Sequence, residues 1–301
     1  MPADYVTVDV FTAVLFAGNP LAVFADARGI GEGAMQRIAA EFNYSEITFV
    51  LPPEDPRNDA RVRIFTPTAE IPFAGHPNVG TAYVLGRQPL LFGRPVGDTL
   101  RFEEKAGLVE VDLRRESGEV IGAAIRAPQP LSLGATVDVD LVARCASIDP
   151  AAVRQTTHAP VFASVGLPFV LAELESLEAL GSACPNVAVF HEAARLHQRD
   201  VSLFLYVRDR KRPFEIRARM FAPLDNVMED PATGSASAAL GAYLVSLLPE
   251  PEAEVAIRIE QGVEMGRRSI IDLTVGKARG QVTGVVIAGR CIDVMSGRIA
   301  L

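Results

Sequence analysis

Two similar motifs that lie far apart in the chain constrain its fold more than any other sequence feature. Residues 63–67 read RIFTP and residues 219–223 read RMFAP, so the two copies lie 156 residues apart. In each copy a strand-like run leads through a loop to a candidate helix of small, uncharged residues, which begins at Gly75-His76-Pro77 in the first copy and at Asp230-Pro231 in the second. The repeat predicts a chain of two related halves.

The two candidate helices indicate the fold class. A helix that is small and uncharged on every face is stable only when protein surrounds it on all sides, and the segment 231–248 is too polar to span a membrane. We therefore predict an α+β protein with two pseudo-symmetric domains, each a curved, barrel-like sheet around one central helix. Turn-rich sequence at Gly122 to Gly134 places the boundary, so the predicted domains are 1–125 and 126–287, and the C-terminal strand, 288–301, completes the first domain.

Composition excludes several classes of protein. The formal net charge is -8 and the chain contains no basic run, which argues against nucleic acid or an anionic membrane as a partner. Three widely spaced cysteines, Cys145, Cys184 and Cys291, indicate neither a disulfide framework nor a zinc site, and the four histidines show no metal-ligand spacing. No metal and no cofactor are implied. The N-terminal residues do not read as a signal peptide, so the cytoplasm is the expected compartment.

The starts of the two candidate helices are the best candidates for a ligand site. A helix N-terminus attracts anions, because its first N–H groups have no partner within the helix and the helix dipole is positive there. If the two halves face each other, both N-termini point into one interdomain cleft. The sequence therefore predicts a small-molecule site for a small carboxylic acid.

Asp230 and His76 occupy matching positions at these helix starts. Asp230 before Pro231 is a strong helix-start signal, and its simplest role is that of an N-cap. The loop 225–230 carries three acids and no base, however, and such crowding favours contact with a cationic or hydroxyl group of a ligand. His76 has a structural hydrogen bond as its simplest role. A functional role is favoured because Gly75 permits close approach of a ligand and an imidazole at a helix N-terminus tends to stay neutral.

Two further residues are candidates. Glu46 lies at the start of an apolar strand. It is either an exposed residue at the end of that strand or, if it lies inside a cleft, a general acid/base, because desolvation would raise its pKa toward neutrality. Ser235 follows Gly234 in the second helix, where it is either a small helical residue or an anion ligand. The segment 234–238 lacks the second glycine of a G-x-S-x-G elbow, and no dinucleotide or P-loop motif occurs, so hydrolase and nucleotide-binding readings have little support.

Several motifs together resemble the PhzF (phenazine biosynthesis) family of isomerases. In chain order they are VDVFT at 8–12, GNPLAVF at 18–24, SEITF at 45–49, FTP at 65–67, GHP at 75–77 and DPATGSA at 230–236, followed by Gln261-Gly262 and Gly266-Arg267. The resemblance covers essentially the whole chain. It implies the diaminopimelate epimerase fold, in which two similar domains each wrap a central helix, and this agrees with the repeat.

The resemblance also implies an activity. Glu46 would remove a proton from one carbon of a small carboxylic acid and return it to another, as in the phenazine enzyme that acts on trans-2,3-dihydro-3-hydroxyanthranilate. The residues that match the family's substrate-binding positions are Gly75, His76, Asp230, Gly234 and Ser235. Family resemblance favours a homodimer.

Two alternatives stay open at this point. One is a metabolite-binding protein that has kept the cleft but has no turnover, and the other is an epimerase that uses Glu46 with Asp230 or His76 as opposed bases. Relatives that racemise amino acids use two cysteines, one on each domain. The three cysteines of this chain lie outside the corresponding loops, so two-thiol chemistry is not expected.

Overall fold

The structure is a computed structural model that describes residues 2–301. The chain folds into two compact units: unit 1 contains the residues up to Arg126 together with Ala288–Leu301, and unit 2 is Ala127–Ile287. The bounds predicted from the sequence, 1–125, 126–287 and 288–301, differ from this division by one residue at the first boundary.

The elements follow one another in this order. Up to the first boundary they are β1 Ala3–Val10, β2 Asn19–Phe24, α1 Glu32–Phe42, β3 Ile47–Leu51, β4 Ala60–Phe65, β5 Glu70–Ile71, α2 Gly75–Gly86, β6 Leu90–Leu91, β7 Arg94–Pro95, β8 Thr99–Glu104, β9 Gly107–Glu116 and β10 Glu119–Arg126. After it they are β11 Ser132–Thr136, α3 Val139–Ala146, β12 Val153–Arg154, β13 Val161–Ser164, β14 Pro168–Leu174, α4 Leu177–Ser182, α5 Val187–His197, β15 Leu203–Arg208, β16 Glu215–Ala222, β17 Val227–Asp230, α6 Gly234–Ser246, β18 Ala253–Gln261, β19 Ser269–Ala278 and β20 Gln281–Ile299.

Unit 1 is a closed sheet. β1 pairs antiparallel with β2, β2 pairs parallel with β3, β3 pairs antiparallel with β4, and β4 pairs parallel with β8. The sheet continues through β9 to β10, and β10 pairs with β20. The C-terminal part of β20 pairs antiparallel with β1, from Cys291 opposite Val10 to Ile299 opposite Ala3. This last pairing closes the strands into a barrel.

Helix α2 is surrounded by this barrel. Every residue from His76 to Gly86 is buried, and the helix carries no charge. Small residues are required where the strands come close: a Cβ atom added at Gly80 would lie 2.6 Å from Leu21 and 2.7 Å from Val10. The prediction of an α+β fold with a barrel-like sheet is confirmed here, and the small residues of α2 have a steric explanation.

Unit 2 also has a curved sheet and a buried helix. The strand order is β13, β14, β15, β16, β18, β19, with β14 parallel to β15, β16 parallel to β18, and the other neighbours antiparallel. Helix α6 packs against β13, β14, β18 and β19. A Cβ atom added at Gly241 would lie 2.8 Å from Leu273, so this helix is also packed closely against its sheet.

Two predictions made from the sequence were wrong. Gly122, expected in a turn, lies inside β10, because β9 and β10 form a hairpin that continues well beyond the expected strand. Helix α6 begins at Gly234 and not at Asp230-Pro231, because Asp230 is the last residue of β17 and pairs with Met220 of β16. The N-cap of α6 is Thr233.

Candidate functional site

The predicted site residues lie where the chain enters the two buried helices. In unit 1, Glu46 directly precedes β3, and Gly75 and His76 are the first two residues of α2. In unit 2, Asp230 ends β17, and Gly234 and Ser235 are the first two residues of α6. The two sets are described separately below.

In unit 1 the structure brings Glu46 and His76 together. Oε2 of Glu46 lies 3.6 Å from Nε2 of His76, and the side chains are 19% and 6% exposed, respectively. Asn43 makes this approach possible, because it ends α1 in the left-handed conformation with a φ of 54° and turns the chain toward β3. A carboxylate and an imidazole are therefore placed side by side at the start of α2.

His76 is neutral. Burial lowers its pKa to about 3, and Nε2 is buried without a hydrogen-bond partner. A neighbouring carboxylate favours a charged imidazole, but at 3.6 Å from Glu46 the loss of solvation is the larger effect. A neutral imidazole with an unused ring nitrogen can donate or accept one hydrogen bond with a ligand.

The N-terminus of α2 has no side-chain cap. Its N-cap, Ala74, is extended and has no side chain that could cap the first N–H groups. Uncapped N–H groups and the positive end of the dipole stabilise negative charge nearby. The sequence expectation of an anion-stabilising helix start therefore has a structural counterpart in unit 1.

A partly buried ion pair holds the loop that leads to α2, residues 66–74, which we call the α2 loop. Arg63 donates from Nε and NH2 to the two carboxylate oxygens of Glu70, each at 2.8 Å, and Lys105 Nζ lies 2.6 Å from Glu70. Bidentate pairs of this kind are geometrically specific. Arg63, at the start of the first motif, is thus a structural residue.

The loop that leads to α6, residues 223–233, is held in a similar way, and we call it the α6 loop. Arg219 donates from Nε and NH2 to the two oxygens of Glu229, each at 2.8 Å. This pair explains the acidic loop that the sequence analysis assigned to a ligand: Glu229 is paired within the protein. Asp225 is not paired with a base, and burial and the nearby Asp200 raise its pKa.

Asp230 has a role other than the predicted N-cap. It is 8% exposed, and its Oδ2 accepts a hydrogen bond of 2.5 Å from the hydroxyl of Thr233. Its backbone oxygen accepts a bond of 2.7 Å from Nε2 of Gln261. The carboxylate is thereby fixed four residues before the first residue of α6.

Gln261 is a positioning residue to which the sequence analysis assigned no role. It is fully buried, and besides Asp230 it binds Thr233 twice, accepting from the backbone N–H at 3.0 Å and donating to the hydroxyl at 3.0 Å. Gly262 beside it has a φ of +73°, and an added Cβ atom would lie 2.6 Å from the backbone oxygen of Pro231. The only sequence signal was the Gln261-Gly262 signature.

None of the three cysteines belongs to the segments that start α2 and α6, although Sγ of Cys291 lies 4.0 Å from the backbone oxygen of Val79 in α2. Cys145 and Cys291 are buried, and burial raises the pKa of Cys145 to about 12 and the pKa of Cys291 further. Cys184 is exposed. Protonated thiols are poor bases, so neither buried cysteine is suited to proton abstraction.

Within residues 2–301 no three His, Cys, Asp or Glu side chains are grouped as metal ligands. Among the helices of the same residues, none has both the length and the apolar character required to span a bilayer.

Comparison with known proteins gives the class and the family. Trans-2,3-dihydro-3-hydroxyanthranilate isomerase of Pseudomonas fluorescens is 35% identical over 300 residues, which cover 99% of each chain. A phenazine biosynthesis protein of the PhzF family from Bacillus anthracis matches all of both chains with a TM-score of 0.87 and 25% identity. A structure from Pseudomonas aeruginosa described as a predicted epimerase matches 99% of each chain with a TM-score of 0.77 and 30% identity.

Relatives over the whole chain are named isomerases or epimerases, and the protein is an isomerase. The model of the PhzC-PhzF family, described as phenazine biosynthesis-like protein, matches residues 8–297, and the chain belongs to this family.

Proposed function

We propose that this isomerase moves a proton between two carbons of a small carboxylic acid without a cofactor, and that Glu46 carries the proton. The observation that supports this most directly is the position of Glu46, 3.6 Å from a buried imidazole at the start of α2. A general base needs to be partly desolvated, and the side chain of Glu46 is only 19% exposed.

The proposed reaction has two proton transfers. The Glu46 carboxylate accepts a proton from a carbon next to an unsaturated system, and the electron pair of the broken C–H bond enters that system. The carboxylic acid of Glu46 then returns a proton to a different carbon of the same system. The reaction is neutral in electrons and protons, and the uncapped start of α2 stabilises the negative charge that develops between the two steps.

The remaining predicted residues bind the substrate in this proposal. Nε2 of His76 is buried and has no partner, so a polar group of the substrate satisfies it. The Asp230 carboxylate and the Ser235 hydroxyl bind an amino or hydroxyl group, and the N–H groups of Gly75 and Gly234 bind oxygen atoms. The acid named for the Pseudomonas fluorescens relative carries a carboxylate, an amino group and a hydroxyl group, and we propose this acid or a related one as the substrate.

Proton NMR in heavy water tests the proposal. The purified protein is mixed with trans-2,3-dihydro-3-hydroxyanthranilate, and substrate loss and deuterium incorporation are followed together. Conversion with deuterium at the newly protonated carbon is the expected result. Substrate binding without conversion or exchange would support a binding protein without turnover, and deuterium entering a stereocentre with inversion would support an epimerase.

Assembly and compartment belong to the same proposal. Family resemblance supports a homodimer in the cytoplasm and a role in phenazine biosynthesis. Light scattering of the purified protein tests the first of these, because a monomer at micromolar concentration would contradict it.

A further inference from the structure

Two hydroxyl groups are buried together between β3 and α2. Thr48 lies in β3 and Thr81 lies in α2, and both residues are fully buried. Their Oγ1 atoms are 2.8 Å apart, so one hydroxyl group donates a hydrogen bond to the other. Burial of two hydroxyl groups costs free energy that a hydrogen bond between them largely offsets, so the pair adds little net stability. Another role is needed to explain it.

The threonine pair joins the same strand and the same helix as the contact between Glu46 and His76. Glu46 precedes Thr48 by two residues, and side chains two residues apart in an extended chain point to the same side. On the helix, His76 precedes Thr81 by five residues. The strand segment and α2 therefore meet at two points: Oε2 of Glu46 lies 3.6 Å from Nε2 of His76, and Thr48 binds Thr81.

The spacing of the two contacts is similar along the strand and along the helix. Both contacts advance in the same chain direction, so the strand segment and α2 run the same way. Two residues of strand advance by roughly 6.6 Å, and five residues of helix advance by roughly 7.5 Å. Five residues also turn the helix by roughly 140°. A bond at Thr81 therefore restrains both sliding of α2 along its axis and rotation about that axis.

A hydrogen bond provides a restraint that an apolar contact lacks. Apolar contacts are not directional, so two packed methyl groups tolerate small displacements. A hydrogen bond between hydroxyl groups weakens when the oxygen atoms leave a narrow range of distances and angles. The pair of Thr48 and Thr81 is thus suited to hold α2 at one position against β3.

The internal repeat shows which residue of unit 2 corresponds to Thr48. Ile64 and Met220 are the second residues of the two repeated motifs. Thr48 of β3 pairs with Ile64 of β4, and Phe204 of β15 pairs with Met220 of β16. Phe204 is therefore the counterpart of Thr48.

The helices give the counterpart of Thr81. Both α2 and α6 begin at a glycine, and Thr81 is the seventh residue of α2, as Leu240 is of α6. Phe204 and Leu240 are both fully buried. A sheet that encloses a helix in this way therefore accepts apolar residues at both positions, and the hydroxyl pair occurs in the unit that contains Glu46 and His76.

We propose that Thr48 and Thr81 are positioning residues, and that the hydrogen bond between their hydroxyl groups sets the distance between the Glu46 carboxylate and the His76 imidazole. The structural part of this assignment stands without any substrate. Its effect on turnover rests on the proposed function.

Threonine-to-valine variants separate positioning from stability. Thr48→Val or Thr81→Val alone leaves one buried hydroxyl group without a partner, whereas the double variant replaces both hydroxyl groups by methyl groups of similar shape. We expect the midpoint of urea unfolding to fall in each single variant and to recover in the double variant. We expect kcat of the double variant to remain at least about tenfold below wild type, because small displacements of catalytic groups are costly. Recovery of kcat together with the midpoint would overturn the effect on turnover.

Two further variants are controls. The hydroxyl group of Thr7 in β1 is buried without a hydrogen-bond partner, so Thr7→Val removes a buried hydroxyl group that positions nothing. It should leave kcat unchanged. Thr81→Ser keeps the hydroxyl group on α2 and should keep most of kcat. A Thr81→Ser enzyme as slow as Thr81→Val would contradict the role of the hydroxyl group.

Crystal structures of wild type and the Thr48→Val/Thr81→Val double variant test the structural part without substrate. We expect the separation of Glu46 Oε2 and His76 Nε2, 3.6 Å with the threonine pair present, to change by about 0.5 Å or more, a displacement that matters in a catalytic site. An unchanged separation would overturn the inference even if the double variant were slow. A changed separation, with no turnover in wild type, would refute the proposed isomerase activity and leave the positioning role standing.

Discussion

The α2 loop and the α6 loop are built on the same framework but satisfy their polar groups differently. In both, an arginine of the preceding strand forms a bidentate pair with a glutamate of the following strand, Arg63 with Glu70 and Arg219 with Glu229. In both, the guanidinium lies over a phenylalanine two residues further on, at 5.2 Å and 4.9 Å from the ring centre. The repeated sequence motif thus encodes a repeated local structure.

The two loops differ in which polar atoms lack a hydrogen-bond partner. Gln261 satisfies the backbone and hydroxyl groups of the α6 loop, so that Asp230 is presented by a rigid segment. At the start of α2, Nε2 of His76 is buried without a partner beside Glu46. A buried polar atom without a partner is where a ligand group is most strongly needed. In the proposed function, unit 1 therefore carries the proton transfer, and unit 2 contributes polar groups that are already held in place.

The largest effect is expected from Glu46→Gln, which removes the base and keeps the shape of the side chain. We expect kcat to fall at least about 100-fold, because general acid/base groups commonly contribute that much or more. Circular dichroism and the midpoint of urea unfolding should be unchanged. Glu41→Gln, on the exposed face of α1, is the matched control and should retain full activity. A Glu46→Gln enzyme with wild-type kcat would remove Glu46 from the mechanism.

Gln261→Met tests whether the stability of unit 2 depends on the buried side-chain amide of Gln261. The substitution leaves the N–H of Thr233 and the backbone oxygen of Asp230 buried without their present partner. We expect the free energy of unfolding to fall by about 3 kcal/mol, because each such group costs roughly 1 to 3 kcal/mol. Urea unfolding measures this, and Gln281→Met at an exposed position is the control. A loss below about 1 kcal/mol would mean that water replaces the amide.

Gly262→Ala tests the close contact that keeps the α6 loop in place. Gly262 and Gly266 have similar φ angles, +73° and +71°, so an alanine is strained at both. At Gly262 the new Cβ atom would also lie 2.5 Å from the backbone oxygen of Arg267, whereas at Gly266 nothing lies within 4 Å. We expect Gly262→Ala to destabilise the protein by about 2 kcal/mol more than Gly266→Ala. Equal losses in urea unfolding would assign the whole effect to backbone strain.

The two loops also show what the sequence could and could not reveal. The repeat and the uncharged helices led to the α+β fold, because a helix without charge must be enclosed. The start of α6 was misplaced because Asp230-Pro231 is a local signal, and the pairing of Asp230 with Met220 in the preceding strand β16 overrides it. The acidic loop was misinterpreted because Arg219, ten residues before Glu229, was not recognised as its partner.

The structural role of Gln261 was not predictable for the same reason. Gln261 binds Thr233, 28 residues earlier in the chain. A single sequence contains no periodicity or spacing that connects such positions. Glu46 and His76 were nominated on local sequence and family resemblance, and only the structure gives the distance between them.

The smallest expected effect is the change in unfolding free energy that accompanies protonation of His76. The sign of this change distinguishes a neutral His76 from a His76 that forms an ion pair with Glu46. The folded-state pKa is lowered to about 3 from an ordinary 6.5, so the unfolded chain binds the proton more tightly. Stability from a neutral His76 is complete above pH 6.5 and is lost as the pH falls toward 3. Between pH 7.5 and pH 5.5, wild type should therefore lose about 1 kcal/mol more unfolding free energy than His76→Asn, which cannot titrate. If Glu46 instead held His76 as an imidazolium, the folded-state pKa would be raised, and wild type would gain stability relative to the variant over the same interval. Urea unfolding of both proteins at the two pH values distinguishes a neutral hydrogen-bonding imidazole from an ion pair.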